Sequence, residues 1–422
     1  MKMKKEIYNN LIKINSLILY ILPISLVTGP FIPNLIVTLA CFISLFLIIY
    51  NKQLKYFDNL FFKFFLIFSI YLIVNSGLNL NSISGVGGYT YLRYSIFSIS
   101  IWHTLENNSN FFRNFTKFFF LTILLIFIDS IFQYFYGTNL LGMQKSSYDK
   151  LSSFFGRDVK LGAYLARVYL FIFLFFYLFL NRKLLNTIYL NLFNILFVII
   201  ILLTGERTSF FIFILNFLLI NLFSKSKYFY KIISIILVIF TCIFIFTNIK
   251  DVKTRYIDTT IKQLKDYKGN TQSYNIFSRG HESHYKIAYK MFLDSKFFGQ
   301  GPNSFRNLCS LNKFKMSEKE GNGYGCSTHP HNIYIQLLAE TGLIGFSFLL
   351  IAFFYVYYVI ISRLIKILKK NLNFDYKFLF YVPLAVYLFP FIPTGSFFNS
   401  WVNIIVYLPI GFLLKEIYSK ND

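Results

Sequence analysis

The chain has 422 residues, of which 56% are hydrophobic, 21% aromatic and only 14% charged. A soluble domain of this size carries about a quarter charged residues, so an ordinary globular protein is excluded, whereas apolar runs of about 17 to 25 residues suit helices crossing roughly 30 Å of hydrocarbon. The formal net charge of +24 is read first as loop chemistry, because Lys and Arg gather in cytoplasmic loops, and nothing in it calls for a nucleic-acid partner.

The basic start MKMKKEIYNN runs into apolar sequence with no small-residue cleavage site, and so reads as an uncleaved first helix. About twelve spans follow, near 11–28, 32–50, 60–77, 89–105, 115–136, 161–180, 186–204, 207–223, 229–248, 331–361, 376–393 and 397–415. The fourth is the weakest, being short and containing Arg93. The expected fold is an all-α polytopic membrane protein with a partly helical loop between spans nine and ten. It divides into 1–248 (nine helices), 249–330 (the loop) and 331–422 (three helices). With the N-terminus inside, Lys52, Lys55, Arg113, Lys117, Arg182, Lys183, Arg363 and Lys366 all fall in inside segments. The outside turns TGPFIPN and PTGSFFNS contain no Lys or Arg. Both termini are therefore expected in the cytoplasm of a bacterial inner membrane, and most of the charge is topological.

Two outside segments depart from this pattern: 137–160, and the loop 249–330, where 14 Lys/Arg face 7 Asp/Glu. That excess is compatible with an anionic ligand on the outer face. Two loop helices are expected, VKTRYIDTTIKQLKDYK and RGHESHYKIAYKMFLDSK, the second with Ile287, Met291 and Phe292 on one stripe. Cys41 and Cys242 read as packing residues. Cys309 and Cys326 share the loop and are expected to form a disulfide on an oxidising periplasmic side, against the alternative of two free thiols.

Polar groups at the span borders converge on that same side. Arg93 begins span four, Arg157 precedes span six, Arg207 lies in LTGERTSFF between spans seven and eight, and His331 begins span ten; the loop adds Arg279, His281, His284 and Arg306. Arg suits bidentate binding of phosphate oxygens, so a lipid diphosphate would fit, while Arg93 also reads as a helix anchor and Arg279 as a solvated loop charge. His331 reads as a helix-end polar residue, as a general base, or as a metal ligand with His329, His281 and His284. No carboxylate cluster suits magnesium, and the reading carried forward has no metal and no cofactor. Asn332 adjoins His331. Glu340 must face protein or water, and Gly342 and Gly345, three residues apart, read as a bare face for close helix contact.

HNIYIQLLAETGLIG (His-Asn, nine residues, Gly, two residues, Gly) resembles the signature of the bacterial O-antigen ligases. SRGHESHYKIAYKMFLDSKFFGQGPNSFR is similar to that superfamily's large periplasmic loop, LTGERTSFF to its S/G-x-R-T motif, and FFGRDVKLGAYLARV to its Gly-rich segment. The superfamily also contains O-antigen polymerases and protein O-oligosaccharyltransferases. The resemblance implies metal-independent, inverting transfer of a glycan from undecaprenyl diphosphate to an acceptor hydroxyl, with lipid A–core the ligase acceptor and another glycan or a protein the alternatives. It implies that Arg207 and Arg279 bind the diphosphate and that His331 activates the hydroxyl. Arg157, Arg306 and Arg93 are added from position alone. A polymerase using the same donor is the nearest rival. A flippase for the same lipid-linked saccharide is the rival from another class, opposed by the large outer loop and the absence of repeat symmetry.

Overall fold

The computed structural model describes residues 4–79, 86–146, 150–179, 183–224, 227–268, 271–274, 277–316, 325–369 and 376–418. Among the described residues, the longer helices before the loop are α1 (Lys5–Tyr20), α2 (Phe31–Tyr50), α3 (Leu60–Leu78), α4 (Leu92–Asn107), α5 (Phe111–Tyr136), α6 (Leu161–Phe179), α7 (Lys183–Leu203), α8 (Arg207–Phe223) and α9 (Tyr228–Asn248). The loop holds the antiparallel pair β1 (Lys265–Lys268) and β2 (Thr271–Tyr274), then α10 (Arg279–Asp294). After it come α11 (Ile333–Leu368), α12 (Tyr381–Tyr387) and α13 (Ser400–Tyr418).

Among the described residues, 8 helices are long and apolar enough to cross a membrane: α1 with its extension to Ser25, α2, α3, α5, α6, α9, α11 and α13. The apolar helices in α7 and α8 are shorter. The remaining two expected spans differ in kind. α4 has a polar interior because it is surrounded by protein, with Ser95, Ser98, Ser100, His103 and Thr104 all buried. Their polar groups are met by neighbouring helices: Asn15 Nδ2 donates to Thr104 Oγ1 (2.8 Å), Ser44 and Ser100 hydroxyls pair (2.7 Å), and Ser98 Oγ donates to the Tyr407 carbonyl (2.8 Å). A helix that never meets lipid needs no continuous apolar surface. The stretch expected as a span over 376–393 is a short 3-10 turn followed by α12, after which residues 388–399 run irregularly, with Pro390 and Pro393 denying the backbone amides a helix needs.

The outward faces of α9 and of the second half of α11 are apolar: Phe240 and Phe244 on one, Phe354 and Tyr358 on the other, are each more than half exposed. In water such stripes would aggregate; in hydrocarbon they are the solvated face.

The loop departs from expectation in one element. VKTRYIDTTIKQLKDYK does not continue as one helix: helical turns end at Leu264 and the chain enters β1. The antiparallel pairing of β1 with β2 takes these residues out of the helical pattern, Tyr267 and Thr271 being types that strands favour. The expected helix forms as α10, burying Ile287, Ala288 and Met291 with Phe305, Cys309 and Phe314 against Ala339 of α11, while Phe292, expected on the same stripe, is only partly buried and outside this core. The loop thus has a small core of its own, seated on α11, and Cys309 and Cys326 are joined as a disulfide with Cα atoms 5.2 Å apart.

Candidate functional site

α11 is 36 residues long, far more than the ~20 that cross a bilayer, and it is broken at Gly342 (φ 62°). Leu343–Leu368 is long enough to span alone, so Ile333–Thr341 forms a separate platform at one end of the bundle. The break is stitched to the loop. Gln300 and Gly301 amides donate to the Ala339 and Glu340 carbonyls (3.0 and 2.9 Å), and the Leu343 amide donates to the Lys296 carbonyl (2.8 Å). From α3, Tyr71 Oη donates to the Thr341 carbonyl and Asn75 Nδ2 to the Phe298 carbonyl, both at 2.5 Å.

Gly342 was expected to offer a bare helix face. It instead takes a backbone conformation that glycine adopts without strain, and a Cβ there would lie 2.2 Å from the Phe297 carbonyl oxygen. Gly345 does pack closely: its Cβ would meet Thr341 and the Tyr71 ring.

Glu340 is buried in this junction and accepts from the backbone amides of Phe305 and Asn303 and from Gln336 Nε2, at 2.9–3.0 Å. Gln336 also donates to Ser396 Oγ (3.0 Å) and accepts from the Phe397 amide (2.8 Å). Glu340 therefore fixes the G-x-G-x-x-x-F turn over the platform rather than facing a substrate.

The platform's N-terminus carries the histidines. Asn332 is the N-cap, its Oδ1 accepting from the Tyr334 and Ile335 amides (2.9 and 3.2 Å) while its Nδ2 donates to the Pro390 carbonyl (2.8 Å). Immediately before it, His331 has φ 61°, a left-handed conformation uncommon outside glycine and held here by surrounding contacts. The His331 carbonyl accepts from the Thr394 amide (2.8 Å). His329 Nε2 must carry its proton, since it donates to the Thr394 carbonyl (3.2 Å), and Nδ1 then accepts from Thr328 Oγ1 (2.9 Å). His284 Nδ1 likewise donates to the Gly325 carbonyl (2.9 Å), leaving its Nε2 a lone pair.

The His331 ring centroid lies 4.2 Å from that of His329 and 5.5 Å from those of both His281 and His284. Burial, with these three imidazoles as second cause, pushes the His331 pKa down to about 3. Burial also lowers His281 and His329. Among the described residues, no group of three or more His, Cys, Asp or Glu side chains is arranged to hold a metal ion.

The arginines fall into three groups. Arg207 starts α8 and donates to Thr260 Oγ1 and Gln263 Oε1, each at 2.7 Å, close enough for its charge to lower His281. Arg306 is exposed on the turn below Glu340, and its charge reaches His329. Arg279 is the first residue of α10, one turn from His281 and His284; its side chain lies outside the described residues. Arg93 and Arg157 are not drawn into the cluster. Arg93 donates to Tyr94 Oη (2.7 Å) and lies over the Tyr94 ring, and Arg157 is exposed on the 137–160 segment.

Glu206 does not pair with Arg207. It caps the start of α6, accepting from the Gly162 and Ala163 amides (2.8 and 3.0 Å) and from Ser209 Oγ (2.7 Å).

Three basic residues escaped the sequence reading. Arg255 Nε donates to the Gly205 carbonyl (3.2 Å), and Lys150 lies against the same glycine, its pKa lowered by burial and by Arg255. No periodicity marked either. Arg167 had a signal: it is a charge inside an apolar span.

The described residues thus present a bundle of apolar helices, a loop clamped to a broken helix, and a histidine cluster with Arg207 and Arg306 near it. The O-antigen ligase family model matches residues 192–350, and over that segment the chain is similar to that family. The matched stretch holds Arg207, the four clustered histidines, the disulfide and the α11 break; Arg93, Arg157 and Arg167 lie outside it. No curated protein matches the chain. The match points to glycosyl transfer of the ligase or polymerase type, and the apolar helices to a multi-pass membrane protein.

Proposed function

We propose that the protein is an inverting, metal-independent transferase that moves a glycan from undecaprenyl diphosphate to the hydroxyl of lipid A–core on the periplasmic face of the inner membrane. In this reading the chain has twelve spans, both termini cytoplasmic, and divides at 249 and 331. The observation that carries it is the neutral His331, held in a left-handed turn among three other imidazoles, of which His281 lies in the field of Arg207 and His329 in that of Arg306.

The acceptor oxygen attacks the anomeric carbon from the side opposite the diphosphate. The carbon–oxygen bond to phosphate breaks, its electron pair leaves with the diphosphate, and the hydroxyl proton passes to His331, which gives inversion. Arg207 and Arg279 meet the charge that grows on the leaving group. A histidine whose pKa is near 3 in the free protein is a weak base; a bound diphosphate raises it by placing negative charge beside it. Donor binding therefore precedes acceptor deprotonation.

Reconstitution with undecaprenyl-diphosphate-linked glycan and separately supplied acceptors tests the proposal. Transfer to lipid A–core is expected, and chain growth on a second lipid-linked glycan would make the protein a polymerase. His331→Ala is expected to lower turnover by about 10²–10⁴-fold with any acceptor; full activity in that variant would end the general-base role.

A further inference from the structure

Arg167 lies in the second turn of α6, a helix of 19 residues that is otherwise apolar through this stretch. A cation in such a helix is retained only where it faces polar surroundings. Its Nη1 donates to the Ala163 carbonyl (3.0 Å), so the side chain turns back toward the end of the bundle that carries the histidines. Among the described residues no acidic side chain forms an ion pair with it. Glu206, whose field reaches it, is committed to the amides of α6 and to Ser209.

The guanidinium lines a cavity of about 30 Å³, shared with Asn216 of α8, Tyr387 of α12 and Thr394 of the irregular segment. Asn216 and Thr394 are 2% and 7% exposed, and Asn216 Oδ1, Tyr387 Oη and Thr394 Oγ1 are buried with no hydrogen-bond partner in the protein. Asn216 Nδ2 is taken by the Ala166 and Ile212 carbonyls, which leaves its oxygen as the free end. Thr394 connects this cavity to the histidines, because its backbone holds both His329 and His331.

The lining therefore offers a cation, two hydroxyl donors and one acceptor beneath the candidate site. The volume admits about two water-sized groups, so it takes oxygens and not a whole ligand. We propose that Arg167, Tyr387 and Thr394 form a second oxyanion subsite, which receives phosphoryl oxygens of the donor diphosphate reaching below the rim held by Arg207. This rests on the lipid-diphosphate reading given above. Free inorganic pyrophosphate presents the same oxygens without the lipid or the glycan, and separates the two claims.

The test uses the full chain in liposomes, with Arg167→Met, Arg167→Lys and Tyr387→Phe. The loss of a charge-assisted contact is expected to raise KM for undecaprenyl-diphosphate glycan about 10- to 100-fold in Arg167→Met, with KM for the acceptor unchanged and partial recovery in Arg167→Lys. Tyr387→Phe, which removes one hydroxyl and keeps the ring, is expected to raise donor KM several-fold and decides the matter should Arg167→Met fail to fold. Pyrophosphate binding, followed by calorimetry on the purified protein, is expected to weaken in parallel.

Unchanged donor KM together with unchanged pyrophosphate affinity in folded variants would overturn the subsite while leaving the transferase reading intact. Should the wild type turn over no lipid-diphosphate donor, that reading fails. Pyrophosphate affinity then decides the subsite alone, an Arg167-dependent loss supporting it and equal affinity overturning it.

Discussion

The junction at Gly342 and the cavity at Arg167 are both polar regions inside an apolar bundle, and they handle polarity in opposite ways. At the junction, the carbonyls freed by the helix break are taken by loop amides and by Tyr71, and both Glu340 oxygens accept hydrogen bonds. At the cavity, the Asn216, Tyr387 and Thr394 oxygens have no protein partner. A polar network closed on itself holds structure together; one with unspent hydrogen-bonding capacity is built for something that arrives.

Removing groups should therefore have unequal consequences. The largest loss is expected for Glu340→Ala, which strands two backbone amides and the Gln336 side chain. A cost of about 3–5 kcal/mol should appear as a lowered unfolding midpoint in detergent, with Glu340→Gln intermediate. Gly342→Ala comes next, at about 2–4 kcal/mol, from the left-handed backbone and the approach of the Phe297 carbonyl; the same midpoint measures it.

A further effect is expected from pH. The folded pKa of His331 lies below its unfolded value, so the folded state binds fewer protons. Its contribution to stability is full above about 6.5 and is lost as pH falls toward about 3. His331→Gln should flatten that slope in a pH series of melting curves.

The smallest stability change belongs to Tyr387→Phe. Because the hydroxyl has no protein partner, its removal should be neutral or stabilising by up to about 1 kcal/mol, even as donor KM rises. A loss comparable to that of Glu340→Ala would erase the distinction between the two regions.

Much of the bundle was legible because hydrocarbon imposes one rule, an apolar run about 20 residues long, on most helices. α4 obeyed a different rule. Its surroundings are protein, so its polar residues mark partners that only the tertiary fold supplies. The break in α11 was hidden because a glycine needed for its backbone angle looks the same in sequence as one needed for packing. Residues 265–268 carried a helical pattern that pairing with β2 overruled.

At the site, His331 and Arg207 were readable from motif and position. The gathering of His281 and His284 onto His331 required α10 to fold back on α11 through a core seated on Ala339. Arg167 stands in the Gly-rich segment but inside a span and away from its border, so only the tertiary fold reveals what polar groups face it.

The stitched helix break also dictates how this protein can be recombined. Residues 296–301 complete the backbone of residues 339–344, so the loop and the first third of α11 are inherited as one piece. A hybrid that exchanges the loop for that of another protein matching the same family model, with a crossover anywhere between 301 and 339, mates two halves of a junction never selected together. Crossovers before Lys296 and after Ile344 keep the backbone pairs between loop and α11 together and leave Tyr71 and Asn75 of α3 as the contacts to be matched. Libraries built on those boundaries should yield folded hybrids in which acceptor preference can be assigned to the transplanted piece.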